Sequence, residues 1–221
     1  MTNRPRQIKG SVGDRIRIVL NETGSQFVLL LNEDDGNHER QRVGWTEIPD
    51  ALAEQLNNSV NGQEHLTEID FGSTGAWYVH GRNRNGAGGV HARWGQTHNG
   101  DLIDAFAKSS DMQNFKVSFG SDKYGLESFV AIEGTTKYRS SNIDDRLAFR
   151  LKRMQRSNKK IHSVRLFSNG AYFVADDEGV EWKGVGYDCD DNLDECIGRR
   201  ICDVAIAEDG SWIIIGARSL P

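Results

Sequence analysis

Aromatic side chains recur along this chain at two repeated positions: Trp45, Trp94, Tyr138 and Trp182 at one, and Trp77, Tyr172 and Trp212 at the other. A flat ring presents a stacking face to a sugar, and several equivalent shallow pockets would turn weak single sites into avidity. The competing reading is architectural. Large aromatics dominate buried area, and a ring that recurs in a repeat suits the wedge between neighbouring sheets.

Other chemistries leave weaker traces. No G-x-x-x-x-G-K-[ST] occurs, and Gly184-Val185-Gly186 lacks the third glycine of a dinucleotide loop. The glycine-rich stretch from Gly81 to Gly89 carries Arg82 and Arg84 but leads into no helix, so it reads as a long hairpin loop. No G-x-S-x-G elbow or cysteine nucleophile context is present, and no cofactor is expected. His80 and His91 flank that loop and could face each other across the hairpin, but a metal would need a third ligand from elsewhere. Cys189, Cys196 and Cys202 fit no zinc spacing, and an odd count reads as free thiols in a reducing compartment. Calcium at Asp188 to Glu195 fails in a helix–loop–helix register. Leu193 falls where glycine is required and Arg199 where glutamate is. Acids favoured at a helix start explain that cluster better.

Lys and Arg number 27 against 32 Asp and Glu, a net charge of −5. Two local faces stand out, one basic at residues 146–160 and one acidic at 176–195. The basic face carries one aromatic, Phe149, and no series of rings on which successive bases could stack, so nucleic acid is not the expected partner. The opening residues Met1 to Gln7 are polar and lead into no apolar run, and no stretch approaches a bilayer span. The expectation is a cytoplasmic protein with no membrane partner.

Positioning these side chains is the task of an internal repeat. Gly24, Gly75, Gly125, Gly170 and Gly210 each follow a polar residue, at spacings of 51, 50, 45 and 40. Ahead of them lie apolar pairs two apart: Ile18 and Leu20, Ile69 and Phe71, Val117 and Phe119, Val164 and Leu166, Val204 and Ile206. After them come Phe27-Val28, Tyr78-Val79, Phe129-Val130, Phe173-Val174 and Ile213-Ile214. Each copy therefore reads as a hairpin with a glycine turn, then a third strand bearing an aromatic. Stripes at Ile48, Leu52 and Leu56, at Leu102, Ile103 and Phe106, and at Ile143, Leu147 and Leu151 predict a short helix after it. In the fourth copy the helical segment is shorter and more acidic.

The copies run approximately 11–61, 62–112, 113–160 and 161–200. The fifth, 201–221, ends after two strands, and residues 1–10 are expected to supply its third. The predicted fold is mainly β: one repeat domain over 1–221, a propeller-like five-fold toroid with a short helix in most repeats, closed by strands from both ends.

Val164-Arg165-Leu166-Phe167-Ser168-Asn169-Gly170-Ala171-Tyr172-Phe173-Val174 and Trp45-Thr46-Glu47-Ile48-Pro49-Asp50-Ala51-Leu52 carry a resemblance. The first is V-x-L-x-x-(D/N)-G-x-W/Y-F/I-V and the second W-x-x-(L/I)-P-x-x-L. Together they resemble repeats of uncharacterised, mostly fungal proteins, a likeness that implies no activity. The architecture is similar to small five-bladed propeller lectins, without their sugar-binding motifs.

With no acid–base pair or nucleophile standing out, recognition is favoured over catalysis. The leading expectation is multivalent, lectin-like carbohydrate binding through the recurring aromatics. A protein–protein scaffold using the basic and acidic faces follows it, and an enzyme with a site in the central channel comes third.

Overall fold

The computed structural model describes residues 16–20, 27–34, 39–62, 64–72, 74–83, 90–95, 97, 99–109, 114–195, 200–206 and 212–217. The fold is mainly β, built of small antiparallel sheets. The first sheet contains β1 (Ile16–Leu20), β2 (Phe27–Asp34) and β3 (Glu39–Thr46), and α1 (Asp50–Asn61) follows it. The second contains β4 (Glu64–Phe71), β5 (Trp77–Asn83) and β6 (Val90–Gly95), followed by α2 (Gly100–Lys108). The third contains β7 (Phe115–Ser121), β8 (Glu127–Glu133) and β9 (Lys137–Ser141), followed by α3 (Asp145–Arg156). The fourth contains β10 (Ile161–Leu166), β11 (Tyr172–Asp176) and β12 (Gly179–Lys183), followed by α4 (Tyr187–Glu195). Last come β13 (Arg200–Ile206) and β14 (Trp212–Ala217), which pair with each other. Residues 1–10, expected to complete this sheet, lie outside the described residues.

Glycine turns join the first two strands as the repeat requires. Gly75 donates to the Gly72 carbonyl at 3.1 Å and Gly125 to that of Asp122 at 3.0 Å. Both adopt positive φ, +84° and +76°, which glycine takes without a Cβ penalty. In the fourth copy Asn169 and Gly170 share that role at φ +58° and +73°.

Helix starts are fixed by side chains of the type the sequence offers there. Asn99 accepts from the Asp101 N–H at 3.1 Å, and Asp144 from the Arg146 N–H at 3.0 Å. Pro49 stands at the N-cap of α1, one place before its first helical residue. Leu52, Leu56, Leu102, Phe106, Leu147 and Leu151 are buried as their spacing predicts. Ile103 is not. It is 44% exposed, at the margin of the face of α2 that buries Leu102 and Phe106.

Each hydrophobic cluster lies between one sheet and the next, with the intervening helix completing it. The first joins Val28 and Leu30 to Leu52, Leu56, Ile69 and Trp77. The second joins Tyr78 to Phe106, Phe119 and Phe129. The third runs from Ile132 through Leu151 and Met154 to Tyr172 and Val174, and the fourth from Phe173 through Leu193 to Ile201 and Val204. A three-stranded sheet alone cannot bury its apolar faces; the second, third and fourth sheets each pack against the copy before and the copy after.

First and third strands differ accordingly. β4, β7 and β10 are buried on both faces but for one residue each, whereas β9 and β12 are half-buried to exposed. Neighbouring first strands also touch: β4 with β7, β7 with β10, β10 with β13, and β1 with both β4 and β13.

Candidate functional site

Strand register decides which aromatics are equivalent. Trp45 faces Val28, Trp94 faces Tyr78 and Trp182 faces Phe173, one position into each second strand. The corresponding place in the third sheet, opposite Val130, belongs to Ser140; Tyr138 stands two residues earlier, opposite Ile132. Tyr138 is thus a singular residue, not a member of the series. Trp77, Tyr172 and Trp212 do correspond, opposite Phe71, Leu166 and Ile206.

Burial separates them further. Trp77 and Tyr172 are core residues, 5% and 0% exposed. The Trp77 ring occupies the space a Cβ on Gly95 would need, approaching it to 2.7 Å, and the Tyr172 hydroxyl donates to Glu181 at 2.6 Å. Trp45 packs on the first cluster, and Trp182 and Trp212 on the fourth. The Trp182 indole also donates to Asp190 of α4. Trp94 is 39% exposed and lays one face on Phe106 of α2, ring centroids 4.2 Å apart. Trp94 and Trp182 thus each meet the helix that follows their strand, and Trp45 and Trp182 are half-buried.

Tyr138 packs on the third cluster and also lines a groove of about 240 Å³ across the outer edge of the third sheet. Ala105 and Lys108 of α2 form one bank and Gln155 of α3 the other. Phe115 and Ala131 lie at the base, with Glu133, Lys137 and Arg139 around the rim. An aromatic wall, a small apolar floor and a few polar heads are the makings of a small-molecule site, although typical clefts are larger at roughly 300–1,000 Å³. Burial raises the Tyr138 phenol above its ordinary range, against the opposing charge of Arg156, so it stays a neutral donor at neutral pH.

The most enclosed polar cluster lies among the first strands. Arg165 on β10, 4% exposed, donates through Nε and Nη2 to both carboxylate oxygens of Asp203 on β13, at 2.7 and 2.6 Å. Its Nη1 reaches Asp70 on β4 at 2.7 Å. Ser163 donates to Asp203 at 3.3 Å, and the Leu166 N–H donates to Ser118 of β7 at 3.0 Å. Burial opposes the guanidinium's charge, but Asp203 and Asp70 outweigh it and hold Arg165 protonated. The sequence signal for this cluster was a charged residue between the apolar pair of a first strand, as in Ile69-Asp70-Phe71 and Val164-Arg165-Leu166.

The basic and acidic faces meet each other. Arg150 grips Asp176 at 2.7 and 2.9 Å and Glu181 at 2.7 Å. Arg146 lies 3.0 Å from Glu181 and Lys159 2.8 Å from Glu178, to which Arg153 is also paired. These cations and acids neutralise one another within the third and fourth copies.

A separate pair supplies a pH prediction. Arg93 on β6 forks onto both oxygens of Glu64 at 2.8 and 2.7 Å, and Ser59 donates to the same carboxylate at 2.7 Å. The Arg93 bond is the main cause holding the Glu64 carboxyl at about 2, below its ordinary 4.5. A carboxylate depressed on folding contributes stability that is complete above the unfolded value and fades as the pH falls through the folded one. Urea midpoints of wild type and Glu64→Gln are therefore expected to differ at pH 7 and to converge between pH 4.5 and 2.

Histidines and cysteines take quieter places. His80 faces Ala92, and His91 faces Gly81, so the two imidazoles sit on opposite sides of the hairpin. His80 is buried with Nδ1 2.7 Å from the Thr67 hydroxyl. Cys189 is buried in the fourth cluster, and desolvation pushes its thiol up to about 11. His98, Cys196, Gly210 and residues 84–89 lie outside the described residues. Among the described residues no group of three His, Cys, Asp or Glu side chains is arranged to hold a metal, and no helix is long and apolar enough to cross a membrane.

No protein-family model, curated protein or solved structure matches the chain.

Proposed function

We propose that this protein is a non-enzymatic carbohydrate-binding protein, lectin-like, built as a five-bladed propeller-like toroid. Support for the toroid comes from β1 lying against both β4 and β13, and from Arg165 joining β10 to two other first strands. In this reading residues 1–10 add the third strand of the last blade, and the fungal repeat proteins and propeller lectins share its plan.

One observation carries the binding reading: half-buried Tyr138 forms the wall of a groove whose rim holds amide, ammonium, guanidinium and carboxylate heads. A sugar ring stacked on the phenol would leave its hydroxyls within reach of such donors and acceptors. Trp45, Trp94 and Trp182, each with an edge in solvent, are the further contact points through which binding becomes multivalent. A catalytic centre among the first strands gains nothing from the Arg165 cluster, where each charge is buried against an opposite one. A scaffold using the basic and acidic faces draws less support, because Arg146, Arg150, Arg153 and Lys159 are already paired with Asp176, Glu178 and Glu181.

A glycan array probed with the full chain tests the proposal. Binding by the folded Tyr138→Ala variant is expected to weaken about tenfold, the size of one lost ring contact. An array without a hit, or a hit indifferent to Tyr138→Ala, would contradict it.

A further inference from the structure

The groove at Tyr138 holds more positive than negative charge, and its cations are unequally committed. Lys108 is tied to Asp104 at 2.5 Å, one turn earlier on α2. Lys137 stands 4.0 Å from Glu133, a long and exposed contact. Arg139 makes no ion pair within 4.0 Å among the described residues; its charge acts on Asp104 from a distance. Arg156 adds a further positive charge near Tyr138. Among the described residues two acids, Asp104 and Glu133, thus face four cations.

A guanidinium at the rim of a cleft, beside an aromatic wall, is the side chain best shaped to fork onto a carboxylate, sulfate or phosphate. We propose that the groove selects an anionic saccharide unit: a sugar whose ring lies against Tyr138 and whose acidic substituent is held by Arg139, with Lys108 and Lys137 as flanking charges. Gln155, on the opposite bank, meets the ring hydroxyls. The proposal rests on the carbohydrate reading above and adds the substrate class.

The experiment titrates the full chain by calorimetry and saturation-transfer NMR with glucose, glucuronate, glucose 6-sulfate, glucose 6-phosphate and inorganic sulfate. At low salt the three charged sugars are expected to bind about tenfold tighter than glucose, the scale of one charge-assisted bidentate contact. That preference should shrink as salt rises. Arg139→Gln should abolish it, Arg139→Lys should keep part of it, and Tyr138→Ala should weaken charged and neutral sugars alike. The ranking among carboxylate, sulfate and phosphate identifies the acid. Glucose binding as tightly as the charged sugars overturns the selectivity and leaves the carbohydrate reading standing. Inorganic sulfate matching the charged sugars, or no binding by any of the five, overturns both. Because Arg139 is exposed, its substitution should leave the thermal midpoint in place; a fall would make the residue structural and also count against the proposal.

Discussion

Arg165→Met is expected to destabilise the protein by on the order of 3–5 kcal/mol, the usual cost of removing one partner from a buried ion pair. Methionine fills the volume of the side chain but removes the guanidinium that both Asp70 and Asp203, 3% and 7% exposed, contact. Loss of that charge favours protonating those carboxylates, admitting water or separating the strands that carry them. The triple replacement Arg165→Met, Asp70→Leu, Asp203→Leu separates the missing charge from the missing contacts. It should recover most of the loss, since apolar groups of similar size often replace a buried ion cluster without cost. The check is a urea unfolding midpoint for each variant. A single mutant within about 1 kcal/mol of wild type would mean that the cluster is not sealed from water in solution.

Gly120→Ala is the second large effect. Gly120 lies on β7 where that strand runs closest to β10. A Cβ there would stand 2.6 Å from the Phe167 carbonyl oxygen and 2.7 Å from the Leu166 Cβ. Neither is the loose end of a flexible side chain, so the strands must separate. Separation stretches the bond from the Ser121 N–H to the Phe167 carbonyl, 3.2 Å, and that from the Leu166 N–H to Ser118, 3.0 Å. About 1–3 kcal/mol is the expected cost of overpacking of this kind. Gly100→Ala supplies the control. It sits at the start of α2 with no atom near its would-be Cβ, so the same substitution there should be neutral or slightly stabilising. Equal effects at the two glycines would show that backbone entropy, not the close approach, governs Gly120.

Much of this architecture could be read from the chain, for definable reasons. Strand pairs and glycine turns were legible because alternation and positive φ are local demands, written within ten residues of each other. Helices after the third strands were legible for the same reason, except that Ile103 fell inside an apolar run whose outer member the spacing could not single out. Equivalence of the third-strand aromatics was not legible at copy three. An alignment anchored on glycines carries the longer turn of that copy forward, so Tyr138 looked like a partner of Trp45 and only strand register places Ser140 there. Asp70, Arg165 and Asp203 escaped altogether. Alternation along an isolated strand reads as one face in the core and one in water, whereas here the second face of each first strand meets other first strands. The groove at Tyr138 joins α2, β9 and α3, three segments whose proximity no spacing reveals.

The bond between Asp70 and Arg165 has a consequence for how such a chain can be made and can change. In an open array each unit answers only to the one beside it, so units can be gained or dropped singly and folding can spread from any point. Here the second sheet is tied past its neighbour to the fourth, across 95 residues of chain. During synthesis this bond waits until the later sheet emerges. Loss of the second copy or of the fourth would remove one end of that bond, so two copies that are not neighbours in the chain must be kept together.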